Sequence, residues 1–530
     1  MGIKMAGDSS PQQLSPSRNE DISIPDAPPP DAVELDGIEV DSVTKPADHA
    51  PVALEDLFDG DDDDLESALH SSSEANIPSS PPQSAPESSI DTTAATQQES
   101  YSDPTIMKQF YARLFPFRSL FQWLNHSPKP GPDFTNREFA LTLSNDAYLR
   151  YQSYPTADLL RKDILRHIPS RFEIGPVYTT KPGDRKMLKN SSSFKPLSKE
   201  IVFDIDLTDY DDIRTCCEKA NICAKCWSFA TMAIKVVDVA LREDFGFEHI
   251  IWIYSGRRGV HAWISDREAR ELDDDKRKAI TGYFEVLKGG VQGGKRVNLK
   301  RPLHPHIARS LEILKPYFQQ VLIDQEPFLS QKGQDRLLQL LPDKALNEAL
   351  VKKWSSSPDR PSIKKWEDID SLAKTGVSKT LDTKALVEAK QDILLEYTYP
   401  RLDVEVGKKR IHLLKSPFVV HPGTGRVCVP ITAGGDMNRA EAFDPLSVPK
   451  VTELLGEVDR FGNEEADTQT NGYIEDGLTM RKLNDWEKTS LKSYVELFDG
   501  FVRSLLKSEM VRVKRERDEE GVTGADGMEF

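Results

Sequence analysis

Ile201-Val-Phe-Asp-Ile-Asp206 decides how this chain is read. A strand's period of two puts Ile201, Phe203 and Ile205 on one face and Val202, Asp204 and Asp206 on the other. Acids on an otherwise apolar strand are costly to keep in a core unless something pairs with them. The two Asp Cα atoms in such a strand stand about 6.6 Å apart. From there two carboxylates can converge on a pair of divalent cations about 3.5–4 Å apart. The same pair also suits the solvent-facing edge of a strand.

Downstream, Cys216-Cys217-x5-Cys223-x2-Cys226 offers the bite that tetrahedral zinc requires, with thiolates about 2.3 Å from the ion. Reduced core cysteines are the alternative. Trp227, Ala230, Ala233, Ile234, Val237, Ala240 and Leu241 then follow one helical face. His249 to Ser255 reads as a strand, Gly256-Arg-Arg-Gly259 as a turn, and Val260-His-Ala-Trp-Ile264 as its return. Glycines at both ends let backbone approach a ligand. Arg257, Arg258 and His261 supply donors suited to phosphate oxygens, beside Ser255. A solvated basic turn is the plainer reading of the same residues. Residues 288–301 are rich in Gly and Lys and read as loop, while 309–397 is helical throughout, an inserted subdomain. The strand pattern returns over 399–406 with Asp403 at its centre, and 417–431 reads as a second hairpin turning at 422–425. Asp403 would complete a three-carboxylate metal site, and Lys415 and His421 could neutralise phosphate charge. Cys428 is expected in the core. Upstream, Met107, Phe110, Tyr111 and Leu114 recur at helical spacing, and strands are expected at Arg137-Glu-Phe-Ala-Leu-Thr-Leu and Tyr148-Leu-Arg-Tyr. The fold class is therefore mixed α/β (α+β).

The first hundred residues differ in kind. They hold 22 of the 86 acids, 3 of the 69 bases and one aromatic, Phe58. The net charge of −17 thus belongs to this segment, and the other 430 residues are close to neutral. So acidic and Pro/Ser-rich a stretch is expected to be disordered. Its apolar patch at residues 52–69 suits either a short partner-binding helix or unstructured filler. No apolar run approaches the roughly 20 residues that cross a bilayer. A soluble, intracellular protein with free thiols is expected.

Taken together, these stretches resemble the catalytic small subunit of eukaryotic DNA primase, in the archaeo-eukaryotic primase superfamily. The residues that carry the resemblance are Phe110-Tyr-Ala-Arg-Leu-Phe-Pro-Phe, Arg137-Glu-Phe, Tyr148-Leu-Arg-Tyr-Gln-Ser and Glu200-Ile-Val-Phe-Asp-Ile-Asp-Leu-Thr-Asp-Tyr-Asp-Asp. To these add the cysteine cluster, Ser255-Gly-Arg-Arg-Gly-Val-His-Ala-Trp and His412-Leu-Leu-Lys-Ser-Pro-Phe-Val-Val-His-Pro. They occur in the family's order over roughly residues 105–431. Gly407 and Ile411 depart from the family, which usually has Ser or Thr and Asn there.

The resemblance implies a primase fold with a zinc knob and a helical insertion. It divides the chain into an acidic tail (1–104), a catalytic core (105–308) with the zinc motif at 216–226, the helical insertion (309–397), completion of the core (398–450) and a C-terminal helical segment and tail (451–530). It implies template-directed synthesis of short RNA primers on single-stranded DNA. Asp204, Asp206 and Asp403 would bind two Mg²⁺ or Mn²⁺ ions, and Cys216, Cys217, Cys223 and Cys226 one Zn²⁺. Ser255, Arg257, Arg258, His261, Lys415 and His421 would hold the incoming ribonucleoside triphosphate, with Glu138 and Arg150 as further members of that site. The implied partners are a large iron–sulfur primase subunit and DNA polymerase α with its accessory subunit, and the implied location is the nucleus. No membrane partner is expected. Competing readings are a primase-polymerase of DNA damage tolerance, and a zinc-stapled nucleic-acid adaptor for which the three aspartates would be dispensable. Residues 288–301 and Arg309 are candidates to line a basic template groove, though a solvated loop reads the same way.

Overall fold

The computed structural model describes residues 101–287, 295–471 and 483–525, without the side chains of 463–471 and 517–525. Residues 1–100 of the acidic tail, with its 52–69 patch, and residues 288–294 of the Gly/Lys-rich stretch lie outside the described residues; order begins before the expected boundary, since α1 starts at Pro104. In chain order the longer elements are α1 (Pro104–Arg113), α2 (Phe117–Asn125), β1 (Arg137–Thr142), β2 (Tyr148–Gln152), α3 (Ala157–His167), β3 (Arg171–Tyr178), β4 (Pro196–Ser198), β5 (Ile201–Asp206), α4 (Ala224–Glu243), β6 (Ile250–Tyr254), β7 (Gly259–Ile264) and α5 (Asp274–Tyr283). Five helices follow, α6 (Pro305–Asp324), α7 (Gln331–Leu340), α8 (Lys344–Ser355), α9 (Ser362–Lys374) and α10 (Thr383–Thr398). The chain then forms α11 (Val404–Lys408), β8 (Leu414–Lys415), β9 (Pro430–Ala433), α12 (Val451–Asn471) and α13 (Lys492–Ala525). This is a mixed fold of helices and antiparallel sheets.

Two sheets position everything that follows. The first runs β2-β1-β3-β4, with β8 pairing the part of β3 that β4 leaves free, through Glu173 opposite Lys415. The second runs β5-β7-β6-β9. Its centre is β6, Ile250-Ile-Trp-Ile-Tyr254, β-branched and aromatic and buried at every position, as a strand covered on both faces should be. On β5 the alternation holds: Ile201, Phe203 and Ile205 are fully buried, while Asp204 and Asp206 keep partial access to solvent. α4 is N-capped by Cys223, is followed after its C-cap Asp244 by Gly246 in the left-handed region (φ +74°), and packs on β5 and α6.

The strand expected over 399–406 does not form. Asp403 makes one bridge to Asp204, its N–H donating to the Asp204 carbonyl at 3.0 Å, and then caps α11 with a carboxylate that accepts the Glu405 amide at 3.0 Å. An aspartate able to satisfy a helix's first amides competes with the strand ladder. Gly407 permits the helix: a Cβ there would stand 3.0 Å from the Val202 carbonyl oxygen and 3.1 Å from Thr281 Oγ1. The small residue thus lets α11 lie close on β5.

Candidate active site

β5 and β7 run antiparallel with Asp204 opposite His261 and Asp206 opposite Gly259. This register brings the two acids beside the turn that closes the β6–β7 hairpin. The turn depends on its glycines. Gly259 lies so close to β5 that a Cβ would meet the Ile205 carbonyl oxygen at 2.6 Å. Gly256 has φ +87° and a Cβ there would meet His421 Cβ at 2.6 Å and Cys428 Sγ at 3.2 Å. Ser255 closes the loop by accepting the Gly259 amide at 3.0 Å. Its carbonyl accepts Lys415 Nζ and Cys428 Sγ, each at 3.2 Å, so Ser255 ties the hairpin to β8 and to the buried Val427-Cys428-Val429 segment behind it. Thr424 Oγ1 donates to the Gly256 carbonyl at 2.6 Å, and the 421–426 turn is held by Gly425 N–H on the His421 carbonyl.

These contacts gather Asp204, Asp206, Ser255, Arg257, Arg258, His261, Lys415 and His421 around one cavity of about 280 Å³, with Arg171 and Glu173 of β3 on its far wall. A second cavity, about 560 Å³, shares Asp204 and Asp206 and adds Asp209, Asp403, Arg296 and Arg401 to an apolar wall that includes Phe284, Val286 and Leu402. The paired aspartates thus stand on a rim between a basic chamber and a larger, mixed one. Glu138 and Arg150 line neither cavity. Glu138 is fully buried, taking Tyr178 Oη at 3.0 Å and Arg150 Nε at 3.2 Å.

Charge is distributed unevenly across the rim. Burial, then the neighbouring Asp206 and Asp403, push the Asp204 carboxyl up to about 7. Asp206 is only half-buried, and against that partial burial Arg258 Nε reaches both its oxygens, at 2.7 and 2.9 Å, and the Thr208 amide adds a bond at 2.8 Å. Its pKa therefore falls below the usual carboxylate value. One acid is easily protonated and its neighbour is held as an anion. Asp209 is raised to about 6 by burial and by Asp206 and Asp403. The histidines differ from expectation. Burial and the nearby Lys415 lower both His261 and His421 to about 3, so each is a neutral N–H donor and the positive charge comes from Arg171, Arg257, Arg258 and Lys415.

The four sequence-predicted thiols meet. Cys216, Cys217, Cys223 and Cys226 place their sulfurs within 4.8 Å of one another, and among the described residues this is the one such group of three or more Cys, His, Asp or Glu ligand atoms. Cys223 Sγ lies 3.6 Å from Cys216 Sγ and 3.9 Å from Cys226 Sγ. A tetrahedral site with metal–sulfur bonds of about 2.3 Å would put its sulfurs about 3.8 Å apart. Burial opposes ionisation of Cys223, but bonds from the Cys226 amide and the Cys216 and Cys217 thiols bring it down to about 7. Gln325 Nε2 reaches Cys216 Sγ at 3.4 Å and Arg214 Nη1 reaches Cys226 Sγ at 4.0 Å, outer donors suited to thiolates. The three aspartates are spread more widely than the thiols. Arg258 holds the Asp206 carboxylate and the Glu405 amide of α11 holds that of Asp403.

Sequence reasoning passed over Arg171, Glu173 and Asp209. The first two sit on a strand whose pairing with β8 spans more than 240 residues, and local pattern carries no sign of that. Asp209 was legible in Asp-Leu-Thr-Asp as a third acid a short turn beyond Asp206.

Comparison with known proteins places these residues in context. The family model described as DNA primase small subunit matches residues 203–433. The chain is 50% identical over 428 residues to the DNA primase small subunit of Schizosaccharomyces pombe, covering 78% of this chain and 92% of that one. It is 43% identical over 419 residues to the Saccharomyces cerevisiae DNA primase small subunit (78% and 95% covered) and 37% identical over 408 residues to that of Drosophila melanogaster (76% and 91% covered).

Proposed function

The chain belongs to the DNA primase small subunit family, and from that premise we propose that it joins ribonucleotides into short RNA primers on single-stranded DNA. The observation that carries this reading is the rim of acids between two chambers. Nucleotidyl transfer needs a triphosphate on one side of the reacting atoms and an acceptor hydroxyl on the other, in line. The basic chamber suits the triphosphate. Arg257, Arg258 and Lys415 compensate its charge, and His261 and His421 add neutral donors that cost no repulsion against the arginines. The mixed chamber suits the acceptor, with apolar walls for a base and no comparable cluster of cations.

Asp204, Asp206 and Asp403 would hold two Mg²⁺ or Mn²⁺ ions, which when bound would activate the acceptor hydroxyl and stabilise the leaving pyrophosphate. Burial first, and then repulsion from Asp206 and Asp403, raise the Asp204 pKa, and both are electrostatic costs that a bound cation relieves. The four thiols fit one Zn²⁺, which would cross-link the segment between β5 and α4 and so brace the strand that carries Asp204 and Asp206. A family of small subunits implies a complex with a large subunit. The reading adds an iron–sulfur cluster on that partner, assembly with DNA polymerase α and its accessory subunit, and a nuclear location.

The test is extension of an RNA-primed single-stranded template with ribonucleoside or deoxyribonucleoside triphosphates. The reading expects ribonucleotides to be used preferentially. Preference for deoxyribonucleotides would place the chain with the primase-polymerases of damage tolerance.

A further inference from the structure

Beside the mixed chamber lies another cavity, about 320 Å³, lined by Tyr283, Glu285, Val286, Asn298, Leu299, His304, His306 and Ile307. Glu285 and Val286 belong to both, so the two adjoin. Its wall is aromatic. The Tyr283 ring lies 4.8 Å from that of His306, tilted by 38°, and 5.6 Å edge-on from that of His304. The rings are fixed from behind: Tyr283 Oη donates to Asp244 at 3.0 Å, Asp244 is held by Arg309, and His306 Nε2 meets Tyr399 Oη at 2.7 Å. Here His306 is 1% exposed and its Nδ1 has no hydrogen-bond partner, with Asp244 Oδ2 no nearer than 3.6 Å.

We propose that this cavity is a subsite for one unpaired base of the DNA template. The inference rests on the primase reading of the adjoining chamber and assigns the path of its single strand. Half-buried Tyr283, backed by the buried His306 ring, and exposed His304 can stack on a base of any identity, which is what a template of arbitrary sequence requires. The volume sits at the low end of the range for small-molecule sites, about 300–1,000 Å³, so it takes one base with its sugar. No Lys or Arg lines it and Glu285 does, which disfavours a triphosphate. A strand bearing one phosphodiester per base needs only an outlying charge, and exposed Lys300 follows Leu299 directly. Asn298, whose Nδ2 donates to the Lys295 carbonyl, belongs to the same wall. Arg309, a candidate for the template groove from sequence, instead neutralises Glu243 and Asp244 and acts through Tyr283.

The test uses the full chain with an RNA primer annealed to a longer DNA template. 5-Iododeoxyuridine is placed at one template position at a time and irradiated. The proposal expects one unpaired template position to cross-link to the peptide holding Tyr283 or that holding His304 and His306. Cross-links to these peptides from 5-iodouridine in the primer and not from the template would overturn it. Independently, Tyr283→Leu should weaken binding of a fluorescent single-stranded oligonucleotide by roughly 5- to 150-fold at fixed salt. Tyr283→Phe, which keeps the ring, should bind as wild type does. Affinity for a ribonucleoside triphosphate with Mn²⁺ in the basic chamber should not change in either variant. A folded Tyr283→Leu chain with wild-type oligonucleotide affinity would refute the subsite. Failure of wild type to bind the triphosphate would refute the primase reading instead.

Discussion

Gly256→Ala isolates what the hairpin turn does. Gly256 has φ +87°, where an L side chain costs about 1–2 kcal/mol. In addition the new Cβ would stand 2.6 Å from His421 Cβ, an atom fixed to the backbone, and 3.2 Å from Sγ of the buried Cys428. Overpacking a fixed environment costs about 1–3 kcal/mol more. Gly246→Ala supplies the control, because Gly246 has φ +74° and a Cβ there would meet nothing within 4 Å. The control should lose only the conformational part, about 1–2 kcal/mol, with nucleotide affinity unchanged. Gly256→Ala should lose about 2–5 kcal/mol and, because His421 has to move, weaken triphosphate binding tenfold or more. Denaturant unfolding and titration with a fluorescent ribonucleoside triphosphate measure the two quantities. Equal stability losses in the two variants, or unchanged nucleotide affinity in Gly256→Ala, would refute the argument that this glycine sets the shape of the basic chamber.

Other expectations follow from the same geometry. Arg258→Ala should change Tm by no more than ~2 °C, since a pair about one-third exposed is worth about 0–1 kcal/mol, yet raise the KM for ribonucleotides at least tenfold in steady-state assays. Cys226→Ser should release bound metal, read as metal per chain by elemental analysis, and lower Tm by several degrees; a variant with full metal content and wild-type Tm would remove the thiols from any structural role. Acid should destabilise the fold through His306, which burial lowers from 6.5 to about 4. The unfolded chain takes up this proton first, so the stability is present above about pH 6.5 and is lost as pH falls towards 4, by about 3 kcal/mol at most. His306→Gln should flatten that part of the pH–stability curve measured by denaturant unfolding, and a curve parallel to wild type would contradict it.

Much of the site was legible because its chemistry is local in sequence. Strand alternation marked Asp204 and Asp206, glycine spacing marked the Arg257–Arg258 turn, and the cysteine spacing marked a cluster whose sulfurs do meet. What escaped was set by pairing at a distance. Asp403 reads as a strand residue by composition but caps a helix, because its carboxylate finds the Glu405 amide and Gly407 lets that helix lie on β5. Arg171 and Glu173 enter the chamber only through the β3–β8 register. Histidine charge is illegible for a related reason: burial and the proximity of Lys415 to His261 and His421 are properties of the assembled chamber.

The central claim, that acids on the rim between two chambers carry nucleotidyl transfer, is tested most directly by primer synthesis. The full chain would be given a poly-pyrimidine single strand, labelled ribonucleotides and Mn²⁺, beside an Asp204→Ala, Asp206→Ala variant checked for wild-type circular dichroism and metal content at the thiols. The account predicts short RNA products from the wild type and none from the variant. Undiminished synthesis by the folded variant would contradict it.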